Sequence, residues 1–457
     1  MKKKKKKVPP KTVSMMVVNP YSAGIDISDK EHVVALAEGL CEKRVRAFGA
    51  MTCDLREIVV WLKACQIETV AMESTGVYWK PLFTLLISEG IEVYLVNARH
   101  VKNVTGRKDD DNDAMWIQKL HSCGLLNSSY LPQEDQEALR SIVRYRQTLV
   151  QDSSRFINRI QKSLELMNIK FHTVIRDITG TSGLAVLKAI IDGQRKPENF
   201  LALLDYRIKA DHETIVKSLE GNWRDEHLFT LKSSYEMYLK YRAEINTCEQ
   251  EIEKHLQLME AKKNEGELSQ KQLIELNPSK KIKKNRYKNS PKIDVRTYLE
   301  KIHGVDVLAI YGLSDNSGLE LLAETGTDLT KWATENKFVA WLNLCPNNKI
   351  SGGKIISSHQ LRKKPNAASK AFKFAANALQ RSNHYLGDYF RRMKAKGGNK
   401  YAIVATANKL ARIYYKMLTE KVEFKPMELS VYHHQYQTKK IAYLERKLEK
   451  LKAAAAA

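Results

Sequence analysis

The chain has 457 residues, more than one compact domain usually holds, so two or three domains are expected. Its 76 Lys and Arg against 52 Asp and Glu leave a net charge of +24, which points to a polyanionic partner. The chain lacks an apolar run of about 18 residues, so no bilayer span is expected, and 43% hydrophobic residues exclude a wholly disordered chain.

Residues 1–14 read as a basic, Pro-containing disordered arm; MKKKKKKVPP lacks the apolar stretch of a secretory leader. Over residues 15–130 strand and helix signals alternate. GIDIS (24–28), HVVALA (32–37) and KRVRAF (43–48) read as three strands of an antiparallel meander. A helix over 54–65, a strand TVAMES (69–74), a helix around 77–88, a strand IEVYLV (91–96) and a helix from about 113 follow. This order predicts a mixed sheet with helices on its faces. Residues 131–264 are almost wholly helical, with 133–167 and 228–263 as long antiparallel or coiled-coil helices. Residues 265–293 are basic and polar, a linker or a nucleic-acid-contacting loop. A second globular region spans 294–425, and 426–457 reads as a charged helical tail. The six cysteines show no CxxC zinc spacing and are expected to be free thiols in a reducing cytosol.

Four carboxylates carry the first chemical signal. Asp26 lies between Ile25 and Ile27 in the first strand, and Glu73 ends TVAME before the turn at Ser74 to Gly76. Burying such groups is costly unless they are paired or bind metal. In RKDDDNDAMW, Asp110 and Asp113 are three apart at a helix start and can face one way. Singly, each has a plain role as a cap, a surface ion pair or an acidic helix start. Together, in a basic protein, they suit Mg²⁺ or Mn²⁺ and phosphodiester chemistry.

GIDIS, MESTGVYWKPLFTLL and LVNARHVKNVTGRKDDDNDAMWI resemble the RuvC-like DEDD domain of bridge-RNA-guided insertion-sequence transposases, also called DEDD/serine recombinases. These motifs cover roughly the first quarter of the chain, and RDITGTSGLAVLKAIIDG (176–193) is similar to the family's helical middle. The resemblance implies a ribonuclease-H-like α/β domain, a helical middle and a mostly helical C-terminal domain bearing a serine. It puts the metal tetrad on Asp26, Glu73, Asp110 and Asp113; the family often has Thr where Asp109 stands, so Asp109 remains an alternative to Asp110.

FVAWLNLCPNNKISGGKIISSHQLRKKPNAASKAFKFAANAL resembles the transposase domain of the same family, whose nucleophilic serine maps to Ser351. Gly352 and Gly353 would let the backbone approach DNA. Lys349, Lys354, Arg362, Lys363, Lys364 and Lys370 would neutralise phosphates. Ser-Gly also occurs at Ser182-Gly183 and Ser317-Gly318, but only Ser351 has a basic, Gly-rich setting. A serine hydroxyl needs activation; His359 is eight residues on. KIHGVDVLAIYGL (301–313) is similar to a helix-hairpin-helix, with Asp306 where a second glycine is usual; a simple helix–helix corner is the other reading.

Within 366–381, Lys370, Lys373 and Arg381 alternate with Phe372, Phe374, Ala375 and Leu379, which suggests one core face and one phosphate face. Residues 389–415 read as a basic loop followed by an apolar core helix. Tyr78 and Trp79 could stack on bases, but burial against the sheet is expected. Without a P-loop, nucleotide hydrolysis is not expected.

The expected function is therefore a DNA transposase or recombinase. The resemblance implies donor and target DNA, a structured guide RNA, a phosphoserine intermediate and a dimer-to-tetramer assembly. It also implies a cytoplasmic, nucleoid-associated bacterial setting. The alternatives are a metal-dependent RuvC-like endonuclease without a covalent intermediate, and a non-enzymatic nucleic-acid-binding protein.

Overall fold

The computed structural model describes residues 16–96, 113–129, 134–267, 287–359 and 366–455. It divides into two compact units, 1–131 and 132–457.

The first unit is built on a five-stranded sheet. Its strands are β1 (Ser22–Ile27), β2 (Glu31–Leu36), β3 (Val45–Gly49), β4 (Thr69–Glu73) and β5 (Glu92–Val96), in the order β3-β2-β1-β4-β5. β1, β2 and β3 form the expected antiparallel meander, whereas β4 and β5 run parallel to β1. Each strand alternates its side chains between the two faces. Ala23, Ile25, Ile27, Val70 and Met72 pack with Leu55, Ile58, Leu62, Leu82 and Leu86 of helices α1 (Thr52–Ala64) and α2 (Trp79–Ser88). On the other face Ala71 and Val96 pack with Ile117 and Leu120 of α3 (Asp113–Ser122).

One cysteine pair departs from the expectation of free thiols. Cys41, in the β2–β3 loop, and Cys65, the C-cap of α1, form a disulfide, while Cys53, Cys123, Cys248 and Cys345 are free. Their separation of 24 residues gives no local signal; the tertiary fold brings their Cα atoms to 5.9 Å.

Among the described residues, the regular structure of the second unit is helical apart from one hairpin. Helices α4 (Glu134–Leu166) and α7 (Asp225–Glu267) form a long antiparallel pair, with Ser163 beside Thr230 at one end and Arg146 beside Glu249 towards the other. α5 (Thr181–Ile191) and α6 (His212–Ser218) close a satellite core with the first end, through Ile160, Leu164, Leu187 and Leu231. At the other end Leu139, Val143, Ile252 and Leu256 share a larger core with α8 (Val295–His303), α9 (Asp315–Thr325), α10 (Glu335–Trp341), α11 (Ala367–Ala378) and α12 (Tyr385–Glu420). Strands β6 (Asn347–Ser351) and β7 (Lys354–His359) form the hairpin, and α13 (Leu429–Ala455) follows α12.

The basic stretch read as a loop in 389–415 is helix. α12 runs through it, and Gly398 alone leaves helical geometry, at φ 80° and ψ 179°. Arg391 donates to the Ser382 carbonyl, and Arg392 lies over the rings of Tyr432 and Tyr436. Both arginines therefore help to hold the fold.

At the helix-hairpin-helix-like corner, Gly304 adopts φ 74° as the C-cap of α8. Asp306 accepts the Leu308 N–H and pairs with Arg296, so its carboxylate is committed to the corner. Next to it His303 is fully buried, and neither ring nitrogen has a hydrogen-bond partner among the described residues. Burial, reinforced by the Lys421 and Lys263 charges, pushes its pKa down from 6.5 to about 3. The unfolded chain therefore binds a proton that the folded chain refuses, and stability falls as pH drops from 6.5 towards 3. The expected contribution is about 1.4 kcal/mol per pH unit within that window. Urea titrations at pH 7 and pH 5 should show a smaller acid loss for His303→Leu than for the wild type.

Candidate active site

Asp26, one residue before the end of β1, and Glu73, the last residue of β4, lie at the carboxyl ends of adjacent parallel strands. The β1–β4 register pairs Ile25 with Met72, so Asp26 and Glu73 each come one residue later. Strand alternation puts Asp26 on the face of Gly24 and Glu73 on the face of Ala71, the face that α3 covers. Gly24 makes that packing possible: a Cβ there would lie 2.3 Å from the Gln118 backbone nitrogen and 2.4 Å from the Ala114 carbonyl oxygen. The first turn of α3, opened by Asp113, therefore lies against the strand that carries Asp26. Sequence reasoning passes over Gly24, although a glycine two residues before a strand carboxylate is the available signal.

Buried polar contacts hold α3 on the sheet. His121 Nε2 is 3.0 Å from Thr69 Oγ1, the His121 carbonyl accepts from Asn19 at 2.8 Å, and Gln118 donates to Ser22. Burial pushes the His121 pKa down to about 4, which keeps the ring neutral at neutral pH. Asp26 itself is half-buried. Beside it, burial lowers the pKa of His32 despite the opposing pull of the Glu31 carbonyl and the Asp26 charge. Glu73 accepts a hydrogen bond from the Thr75 hydroxyl at 3.2 Å.

Asp110 and the alternative Asp109 lie outside the described residues. Among the described residues no group of three or more His, Cys, Asp or Glu side chains is assembled to hold a metal ion. The structure thus aligns Asp26 with Glu73 and sets the α3 start on their face, but does not complete a ligand cluster. The donor set is all carboxylate, chemistry that suits a hard divalent cation.

In the second unit Ser351 ends β6 and pairs with Lys354. Gly352 and Gly353 alone connect the strands, with φ 55° and 74°. Positive φ at both central residues is the requirement of a type I′ hairpin turn, which glycine meets without strain. All three residues are exposed, and a Cβ on either glycine would meet nothing within 4 Å. The rival serines have structural roles. Ser182 Oγ accepts the Asp205 N–H at 2.9 Å, and Ser317 is buried at the start of α9, 3.1 Å from Ser314 Oγ.

Residues 23–169 match a family model for the transposase DEDD domain of IS110 elements, and residues 306–391 match one described as transposase IS116/IS110/IS902 family. The chain carries IS110-family transposase domains. It is a DNA transposase or recombinase, and its DEDD domain implies a divalent metal. No curated protein matches the chain. The first IS110-family match contains Asp26, Glu73, Asp110 and Asp113, and the second contains Ser351.

The basic residues of the second IS110-family domain divide by position. Lys349 on β6 and Lys370 on α11 are exposed, and Lys370 lies over the ring of Phe374. Arg362, Lys363 and Lys364 fall outside the described residues, as do the side chains of Lys354 and His359. Phe372 and Ala375 on α11, with Leu379 in the 3-10 turn that follows it, form the expected core face, while Phe374 is 60% exposed on the lysine side. Ile350 and Ile356 of the hairpin are also exposed, at 64% and 71%. Among the described residues no helix is long and apolar enough to cross a membrane.

Proposed function

We propose that this transposase cleaves and rejoins DNA through a phosphoserine link at Ser351, guided by a structured RNA. The observation that carries the reading is the contrast among the Ser-Gly pairs. Ser182 and Ser317 are bound into the fold, whereas Ser351 stands exposed at the mouth of a glycine turn. Lys349, exposed two residues before Ser351 on β6, supplies nearby positive charge; Lys370 is exposed within the same domain match, and Lys354, Arg362, Lys363 and Lys364 would add to it.

In the proposed step, Ser351 Oγ forms a bond to phosphorus and gives up its proton. The bond from phosphorus to one sugar oxygen breaks, and that oxygen takes up a proton. One phosphodiester replaces another, so rejoining to a new strand is the same reaction reversed and needs no nucleotide hydrolysis. Asp26, Glu73, Asp110 and Asp113 would hold Mg²⁺ or Mn²⁺. Such an ion supplies charge stabilisation at the reacting phosphate. The carboxylates and the serine would come from different subunits of a dimer or tetramer.

The chemistry is tested by trapping a protein–DNA adduct and mapping it, with Ser351→Ala as control. The guide is tested separately by sequencing the nucleic acid that travels with the protein purified from its native host. One discrete structured RNA encoded beside the gene is the expected outcome; random RNA, or none, rejects guidance and favours direct DNA recognition.

A further inference from the structure

We propose that a cavity at the carboxyl end of β1, rimmed by Val77 and Tyr78, takes one unpaired nucleobase of the DNA strand being processed. This rests on the reading of the protein as a DNA-processing enzyme. It adds a base-binding subsite that the carboxylates and Ser351 do not require.

The cavity has a volume of about 190 Å³, and Ser28, Asp29, His32, Leu55, Val77 and Tyr78 contribute to its lining. Ligand clefts usually measure about 300–1,000 Å³, so this one suits a single planar ring rather than a whole nucleotide. Its position is informative. Ser28 is two residues beyond Asp26, and Val77 is four beyond Glu73, so the cavity lies at the same end of the sheet as the carboxylates, on the α1–α2 face rather than the face that α3 covers.

The rim is apolar where apolar surface is costly. Val77 is 75% exposed and Tyr78 46% exposed, although Trp79, the next residue, is half-buried against the core and meets Phe83 edge-on. Tyr78 was expected to be buried against the sheet, and the turn before it explains the difference. Gly76 adopts φ 54°, and a Cβ there would sit 3.2 Å from the Tyr78 ring. The ring therefore lies over the glycine and keeps a face towards solvent. An exposed aromatic face beside a ring-sized cavity provides the stacking platform that single-stranded DNA uses.

The polar lining selects a base over a phosphate. Asp29 is an exposed carboxylate and repels phosphate. His32 Nδ1 lies 3.1 Å from the Glu31 carbonyl, so in the neutral ring Nδ1 donates and Nε2 is left as an acceptor. The Ser28 hydroxyl is engaged with Glu31. A carboxylate and an imidazole acceptor match the exocyclic amino group of adenine, cytosine or guanine, which thymine lacks.

The test uses the full-length protein and single-stranded DNA oligonucleotides carrying 2-aminopurine, a fluorescent amino-bearing base. Wild type should quench the probe on binding. Tyr78→Phe should keep both quenching and affinity, whereas Tyr78→Ala should lose the quenching and about tenfold in affinity. The slope of affinity with salt should not change, because phosphate contacts remain. Val77→Trp, which fills the mouth from an exposed position, should also abolish quenching. Ser351→Ala should bind and quench like wild type, so failure of the phosphoserine reading leaves this result standing. Unchanged binding and quenching by Tyr78→Ala would overturn the subsite while leaving the recombinase reading intact. Failure to bind any oligonucleotide, or quenching by an RNA probe alone, also overturns it.

Discussion

A Ser351→Ala protein is expected to form no covalent DNA adduct and to lose strand exchange by at least about 10³-fold. Removing an essential nucleophile costs on this order or more, which corresponds to about 4 kcal/mol of transition-state stabilisation. Folding should be untouched, because Ser351 is exposed and the turn is set by Gly352 and Gly353. Melting temperature and oligonucleotide affinity are therefore the controls that must stay constant. Asp26→Asn should also lose strand exchange, through loss of a carboxylate rather than of the attacking oxygen. The two variants separate the mechanisms. A water-driven nuclease would keep cutting without Ser351 and stop without Asp26. Retained cleavage by Ser351→Ala would thus reject the phosphoserine route and leave the carboxylates as the whole active site.

Legibility in the sequence followed the range of the forces involved. The sheet unit was readable because its strands alternate and its helices carry apolar stripes, which are local patterns. Asp26 and Glu73 stood out because a carboxylate inside an apolar strand is costly. Their alignment required the parallel register of β1 with β4, which no local pattern contains. The Cys41–Cys65 pair was illegible for the same reason: a loop and a helix end meet only once the sheet has formed. The basic stretch before residue 400 looked like a loop because Gly397 and Gly398 sit among lysines. Flanking core residues, Phe390 on one side and Ala402, Thr406 and Leu410 on the other, keep both halves helical around one non-helical glycine. Tyr78 was misread because the turn at Gly76 decides its direction, and one residue of turn geometry outweighs aromatic character.

The second large effect should come from Arg146→Met, which is expected to destabilise the helical unit by about 3–5 kcal/mol. Arg146 on α4 and Glu249 on α7 are both nearly inaccessible, with side-chain exposures of 5% and 4%. Two guanidinium nitrogens donate to Glu249 Oε1 at 2.9 and 2.7 Å. Further donations reach the Asn289 carbonyl and the Asn316 side chain, each at 3.0 Å. Glu249 Oε2 in turn accepts the Lys292 N–H at 2.9 Å. One ion pair thus joins two long helices, the segment entering α8, and α9. Methionine keeps much of the volume but leaves the Glu249 carboxylate buried without its cation, the costly half of such a pair. Pairing Arg146→Met with Glu249→Leu should recover part of the loss, because two apolar side chains replace a buried pair at little cost. Recovery should stop about 1–3 kcal/mol short, since the Lys292 N–H and the Asn289 carbonyl still lose their partners. Urea unfolding of wild type, both single variants and the double variant gives the coupling directly. Additive losses would show that the two residues act independently; strong coupling would identify this pair as the clamp on the helices that support the Ser351 domain.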